Sequence, residues 1–183
     1  MVISNSGPLI ALGKLGLLEL LQELYGVVYT PRSVAKEVVD RGMESGCSDA
    51  WATQEAIHQA YVSVVDLDSP MPEDISGLPL GLGEKECLCV AIRDKAEFIL
   101  LDEAKARQEA RSRGPNVKGT VGVIVQAFRA GHLTFDRVEF YMREIMARDD
   151  IWIADELCIR VLNALSDEVD PSDVGSGRAS KQT

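Results

Sequence analysis

The stretch Val2-Ile3-Ser4-Asn5-Ser6-Gly7-Pro8-Leu9-Ile10-Ala11-Leu12 decides the fold. Two β-branched residues run into small polar ones, and a helical apolar pattern opens at once with Pro8 in its first turn, where the missing N–H is no loss. A short strand passing directly into a helix is half of a βαβ unit. Asn5 stands at the carboxyl end of that strand. A turn residue or helix cap is expected there, and in open parallel sheets the same position is where ligands gather.

The alternation recurs along the chain. Strands are expected at Val2–Ser4, Val27–Tyr29, Val62–Val65, Phe98–Leu101 and Val117–Lys118, and the intervening helical patterns include Gly7–Lys14, Leu17–Leu24, Ser33–Arg41, Asp49–Ala60, Glu84–Arg93, Asp102–Arg113 and Thr120–Ala130. Thr30 reads as a helix cap, with Pro31 at the first helical position. Asp66–Gly83, which contains Pro70, Pro72 and Pro79, reads as a long irregular connection bordering a site. Two amphipathic helices follow near Phe135–Arg148 and Ala154–Leu165. The expectation is an α/β fold with a mostly parallel sheet of about five strands, forming one domain over residues 1–165, and a disordered tail over 166–183.

The composition narrows the function. The chain has 183 residues, is 46% hydrophobic and carries a formal charge of −10, enough for a proper core and unsuited to coating nucleic acid. No apolar run approaches a membrane span and no signal-peptide pattern opens the chain, so a cytoplasmic protein is expected. The four cysteines, Cys47, Cys87, Cys89 and Cys158, show no CxxC pairing and are expected as free thiols. His58 and His132 read as surface residues.

Acidic residues fall where the strands end. Asp102 follows the fourth strand, Glu84 opens the helix after the long connection with Glu86 close behind, and Thr120 follows the fifth strand. Glu37 lies mid-helix among apolar residues. Clustered oxygen ligands suit Mg²⁺ or Mn²⁺, which can activate water and neutralise a phosphodiester. Each residue also has a plain structural reading. Asp102 can cap the helix that begins Glu103-Ala104-Lys105, Glu84 and Glu86 suit a first helical turn, and Thr120 can be a cap. Lys105, Arg107, Arg111, Arg113 and Lys118 form either a solvated helix face or the one stretch able to attract a polyanion.

Four motifs taken together resemble the PIN-domain family of metal-dependent nucleases, which includes the VapC toxins. They are Ser4-Asn5-Ser6-Gly7-Pro8-Leu9-Ile10, Gly83-Glu84-Lys85-Glu86, Leu100-Leu101-Asp102 with Ala106-Arg107, and Gly119-Thr120-Val121-Gly122. They are closer still to a branch with an SNSxPLI-type N-terminus and a Gly-Glu-x-Glu helix. The resemblance implies a three-layer α/β/α fold and hydrolysis of RNA with Mg²⁺ or Mn²⁺. Asp102, Glu84, Asn5 and Glu37 fall on its catalytic positions, with Asp102, Glu84 and Asn5 as metal ligands and Glu86, Thr120 and Ser6 in support. Lys105, Arg107, Arg111 and Lys118 would meet nucleic acid. It further implies a homodimer and a small antitoxin partner. Asn5 is neutral where most PIN nucleases carry Asp, and Gly7 replaces a small hydroxyl residue. The expectation is therefore a VapC-like ribonuclease, with a catalytically weakened binding or regulatory module as the alternative. A small-molecule or phosphatase-like domain is disfavoured, because the first strand has no Asp-x-Asp pair and no GxxxxGK[ST] loop occurs.

Overall fold

A computed structural model describes residues 1–44 and 46–168. Beyond Glu168 the expected tail lies outside the described residues. The strands are β1 (Val2–Ser4), β2 (Val28–Pro31), β3 (Val62–Val65), β4 (Phe98–Leu100) and β5 (Val117–Lys118), all paired in parallel in the order β3-β2-β1-β4-β5. A parallel sheet covered on both faces requires strands that are apolar throughout. Ile3, Val28, Val62, Ile99 and Leu100 accordingly have no accessible surface.

The helices, in chain order, are α1 (Ser6–Lys14), α2 (Glu19–Tyr25), α3 (Arg32–Ala35), a π-helical continuation over Lys36–Arg41, α4 (Gly42–Glu44), α5 (Ser48–His58), α6 (Glu73–Ser76), α7 (Leu82–Arg93), α8 (Ala104–Ser112) and α9 (Thr120–Arg129). α1 packs on α5 and α9, and α2 also meets α9, while α7 lies across β1, β2 and β4. The result is a three-layer α/β/α fold. The chain steps outward from β1 to β2 and β3, then returns to place β4 on the other side of β1. That reversal is a topological switch point, and the crevice at its carboxyl end is where α/β folds bind ligands. Ser4 is in register with Leu100 there, so Asn5 and Asp102 leave neighbouring strands at the same end.

Three local expectations are corrected. Thr30 does not cap a helix. It belongs to β2, and its hydroxyl donates to the Ser4 carbonyl at 2.9 Å, continuing the β1–β2 connection past the last backbone pair. Asp102 does not cap the helix after it: α8 begins at Ala104, and Glu103 caps it by accepting from the Lys105 N–H. The connection after β3 is not wholly irregular, since it contains the short helix α6.

By contact the chain divides into two compact units, Met1–His132 and one beginning at Leu133. The first holds the sheet. In the second, α10 (Phe135–Ala147) packs on α11 (Asp155–Ser166). Val138, Met142, Ile145, Cys158 and Leu165 are buried, whereas Phe140, Trp152 and Ile159 are exposed. All four cysteines are free thiols. No helix among the described residues is long and apolar enough to cross a membrane.

Candidate metal and phosphodiester site

Asn5 occupies the N-cap position of α1, with extended backbone at φ −81° and ψ 176°, yet its side chain makes no capping hydrogen bond. Asparagine is among the best caps. Here it forgoes that role. It is only 7% exposed, and its Oδ1 is buried without a partner. An orphaned buried acceptor of this kind costs roughly 1–3 kcal/mol, so the position is tuned to something other than helix stability.

The space around Asn5 explains what. A cavity of about 500 Å³ is lined by Asn5, Ser6, Ser33, Lys36, Glu37, Gly81, Leu82, Gly83 and Glu84. Gly83 forms its close wall. A Cβ there would lie 2.7 Å from Val34 Cγ2 and 3.1 Å from Asn5 Oδ1, with Glu37 Oε2 at 3.8 Å. The two oxygens therefore surround one point. The glycine lets α7 approach that point without a side chain of its own.

Glu84 is in the third position of α7, and its Oε2 accepts the Gly81 N–H at 2.9 Å. This is the reach-back half of a capping box. The carboxylate lines the cavity while one oxygen is engaged in its own helix. Glu86 is not among the lining residues, and it accepts the hydroxyl of Ser33, which is.

Asp102 is held by α9. Thr120 donates its N–H to Oδ1 at 2.8 Å and its hydroxyl to Oδ2 at 2.6 Å, so a residue distant in sequence caps this helix. Burial raises the Asp102 pKa from its ordinary value, and the two Thr120 bonds and the Arg107 charge work against that rise. Asp102 is not among the cavity's lining residues. It lies just behind the β1–α1 turn, since a Cβ on Gly7 would touch Asp102 Oδ2 at 3.5 Å. That contact is of ordinary length, so a small residue at position 7 has room.

Gly119 packs against the other side of Asp102. A Cβ would fall 2.6 Å from Asp102 Oδ1 and 2.7 Å from Arg107 Nη1, and neither group is free to retreat: Arg107 Nη1 donates to the Leu101 carbonyl at 2.7 Å. Gly119→Ala is therefore expected to cost about 1–3 kcal/mol by overpacking. It should also lower any activity that depends on Asp102 by roughly tenfold or more, because small misplacements are costly. Thermal unfolding and a turnover assay on the same preparation check both.

The basic residues expected to meet nucleic acid have different surroundings. Lys105 and Arg111 are exposed on α8. Arg107 is half-buried against Leu101 and Asp102, and burial lowers its pKa. Lys118 Nζ lies 4.0 Å from the Phe98 ring centre and donates to Tyr25 and Gln126. Burial lowers its pKa and pushes Tyr25 up to about 12. Arg113 is paired with Glu109 and Asp74. His58 and His132 are both exposed, His58 beside Glu55 and His132 with Nδ1 3.2 Å from Glu23.

Ser33, Lys36 and Leu82 also line the cavity and were not among the expected site residues. A signal was present for the first two, because Ser33, Lys36 and Glu37 are spaced three and four apart and share one helix face. The π-helical stretch begins at Lys36, and such widened turns often mark functional positions.

Among the described residues no three His, Cys, Asp or Glu side chains come together as a metal-holding group. The cavity instead offers one amide oxygen and two carboxylates. As hard oxygen donors these suit Mg²⁺ or Mn²⁺, and the orphaned Asn5 Oδ1 is the acceptor a cation would satisfy. The Gly81 N–H engages Glu84 Oε2 and leaves the second carboxylate oxygen for the set.

Neither the curated proteins nor the solved structures contain a significant match to this chain. The family model described as "DUF3368: PIN domain" matches residues 1–167, nearly the whole chain. The switch-point crevice and its acidic cavity thus lie on the fold that the family model describes, and the chain belongs to the PIN-domain family, whose members are commonly nucleases that use divalent metals.

Proposed function

We propose that this protein is a metal-dependent endoribonuclease, the VapC-like toxin of a toxin–antitoxin pair. The observation that carries the reading is the buried, unpartnered Asn5 Oδ1 at the switch point, beside Glu37 and Glu84. Asn5, Glu37 and Glu84 would hold Mg²⁺ or Mn²⁺, with Asp102 completing the set from the neighbouring strand. When bound, the cation supplies positive charge to the scissile phosphodiester and makes water a better nucleophile. Thr120 fixes the rotamer of Asp102 through both of its hydrogen bonds, and Ser6 sits in the first turn of α1 at the cavity wall. Glu86 supports the region by holding Ser33. Lys105 and Arg111, exposed on α8, would attract the RNA.

A small antitoxin partner and a homodimer belong to the same reading. The exposure of Phe140, Trp152 and Ile159 supports pairing through the second unit.

Two observations favour a second reading, a catalytically weakened PIN domain that binds or regulates. The Glu84 carboxylate is turned toward Gly81, and Asn5 removes a negative charge that an aspartate would bring. A cleavage assay separates the two. Full-length protein with end-labelled single-stranded RNA and Mn²⁺ is expected to cut, with loss of cutting in EDTA and a fall of roughly 100-fold in Glu37→Gln. Wild-type protein that leaves the RNA intact in both Mn²⁺ and Mg²⁺ would favour the binding module.

A further inference from the structure

We propose that Lys36 is the phosphate-holding cation of this cavity, a positioning residue for the RNA backbone; the assignment rests on the nuclease reading above. Lys36 is the one basic side chain among the lining residues. It is exposed, and among the described residues it has no carboxylate within ion-pairing distance. That distinguishes it from Lys118 and Arg113, whose charges are already engaged on the protein. A lysine is a compact charge on a flexible stem, suited to following a phosphate as the strand moves.

The surroundings agree with an anion at this place. Two helices of adequate length, α1 and α7, begin at the cavity wall, and their first-turn N–H groups carry partial positive charge. The buried Asn5 Oδ1, unpartnered in the same cavity, calls for a cation, and a cation beside a phosphate satisfies both demands. Asn5 also matters through charge. With an amide there, the lining holds only Glu37 and Glu84 against Lys36, so an incoming phosphate meets less repulsion than it would beside a third carboxylate. Leu82, 60% exposed at the rim, offers an apolar surface to a sugar or base next to that phosphate.

The test is binding of the full chain to a fluorescent 2′-O-methyl oligoribonucleotide, which resists cleavage, measured by anisotropy in Mg²⁺ over a salt series. Lys36→Ala is expected to bind roughly fivefold more weakly, with the slope of log K against log salt reduced by about 0.7, the loss of one phosphate contact. Lys36→Arg should retain most of the affinity, and Lys95→Asn, which removes an equal charge from the α7–β4 connection, should match wild type. Wild-type affinity and slope in Lys36→Ala would overturn the assignment while leaving the nuclease reading intact. Failure of wild type to bind the oligonucleotide would overturn both.

Discussion

Asp102→Asn is expected to abolish RNA cleavage, by roughly 100-fold or more, without weakening the fold. With Asp102 in the proposed ligand set, the substitution would remove from the cation's surroundings a charge that no neutral amide replaces. Stability should move the other way. Burial raises the Asp102 pKa in the folded protein, so the native state holds that proton more tightly than the unfolded chain does. Stability from this group is therefore fully present at acid pH and is lost as pH rises through the shifted value. An asparagine never ionises, and its amide can still meet the Thr120 N–H and hydroxyl. The variant should thus melt at an equal or higher temperature than wild type at pH 8, with the advantage shrinking toward pH 4. A melting temperature well below wild type at pH 8 would mean that Asp102 is held chiefly as a structural cap for α9.

Asn5→Asp should act in the opposite sense and depend on metal. In EDTA the new carboxylate would sit where Oδ1 is now buried and unpartnered, near Glu37, so the variant is expected to lose about 1–3 kcal/mol of stability or to protonate. With Mn²⁺ the same charge faces a cation. Affinity should rise by about tenfold or more, and saturating metal at about 100 times Kd should return about 2.7 kcal/mol. Cleavage should rise with affinity. Thermal unfolding with and without Mn²⁺ reads both halves, and a variant destabilised equally in the two conditions would place the cation elsewhere.

The amino-acid pattern revealed the sheet well, because β1 to β4 are short runs rich in β-branched, aromatic and aliphatic residues bounded by turn residues, and burial leaves little choice of residue in the central strands. It also placed Asn5 and Asp102 at strand ends, and the parallel topology brought those ends together. It was less informative wherever a local role competes with a distant one. Asp102 precedes a helix and so resembles that helix's cap, but its partner is Thr120, eighteen residues away. Thr30 before Pro31 likewise resembles a cap, but its hydroxyl is taken by Ser4 across the sheet. Lys118 belongs to a basic stretch in the sequence, but in the fold it lies against Phe98, Tyr25 and Gln126. Lys36 shares a helix face with Ser33 and Glu37 in the sequence pattern, but its lack of a nearby carboxylate partner is displayed only by the packed structure.

Asn5 Oδ1, buried and unpartnered, is expected to ligate a divalent cation. Calorimetric titration of Mn²⁺ into the metal-free full chain tests it most directly, comparing wild type with Asn5→Leu, a near-isosteric change that deletes the acceptor. Binding in wild type that falls by about tenfold or more in a folded Asn5→Leu is the expected result. Equal Mn²⁺ affinity in the two proteins would contradict it.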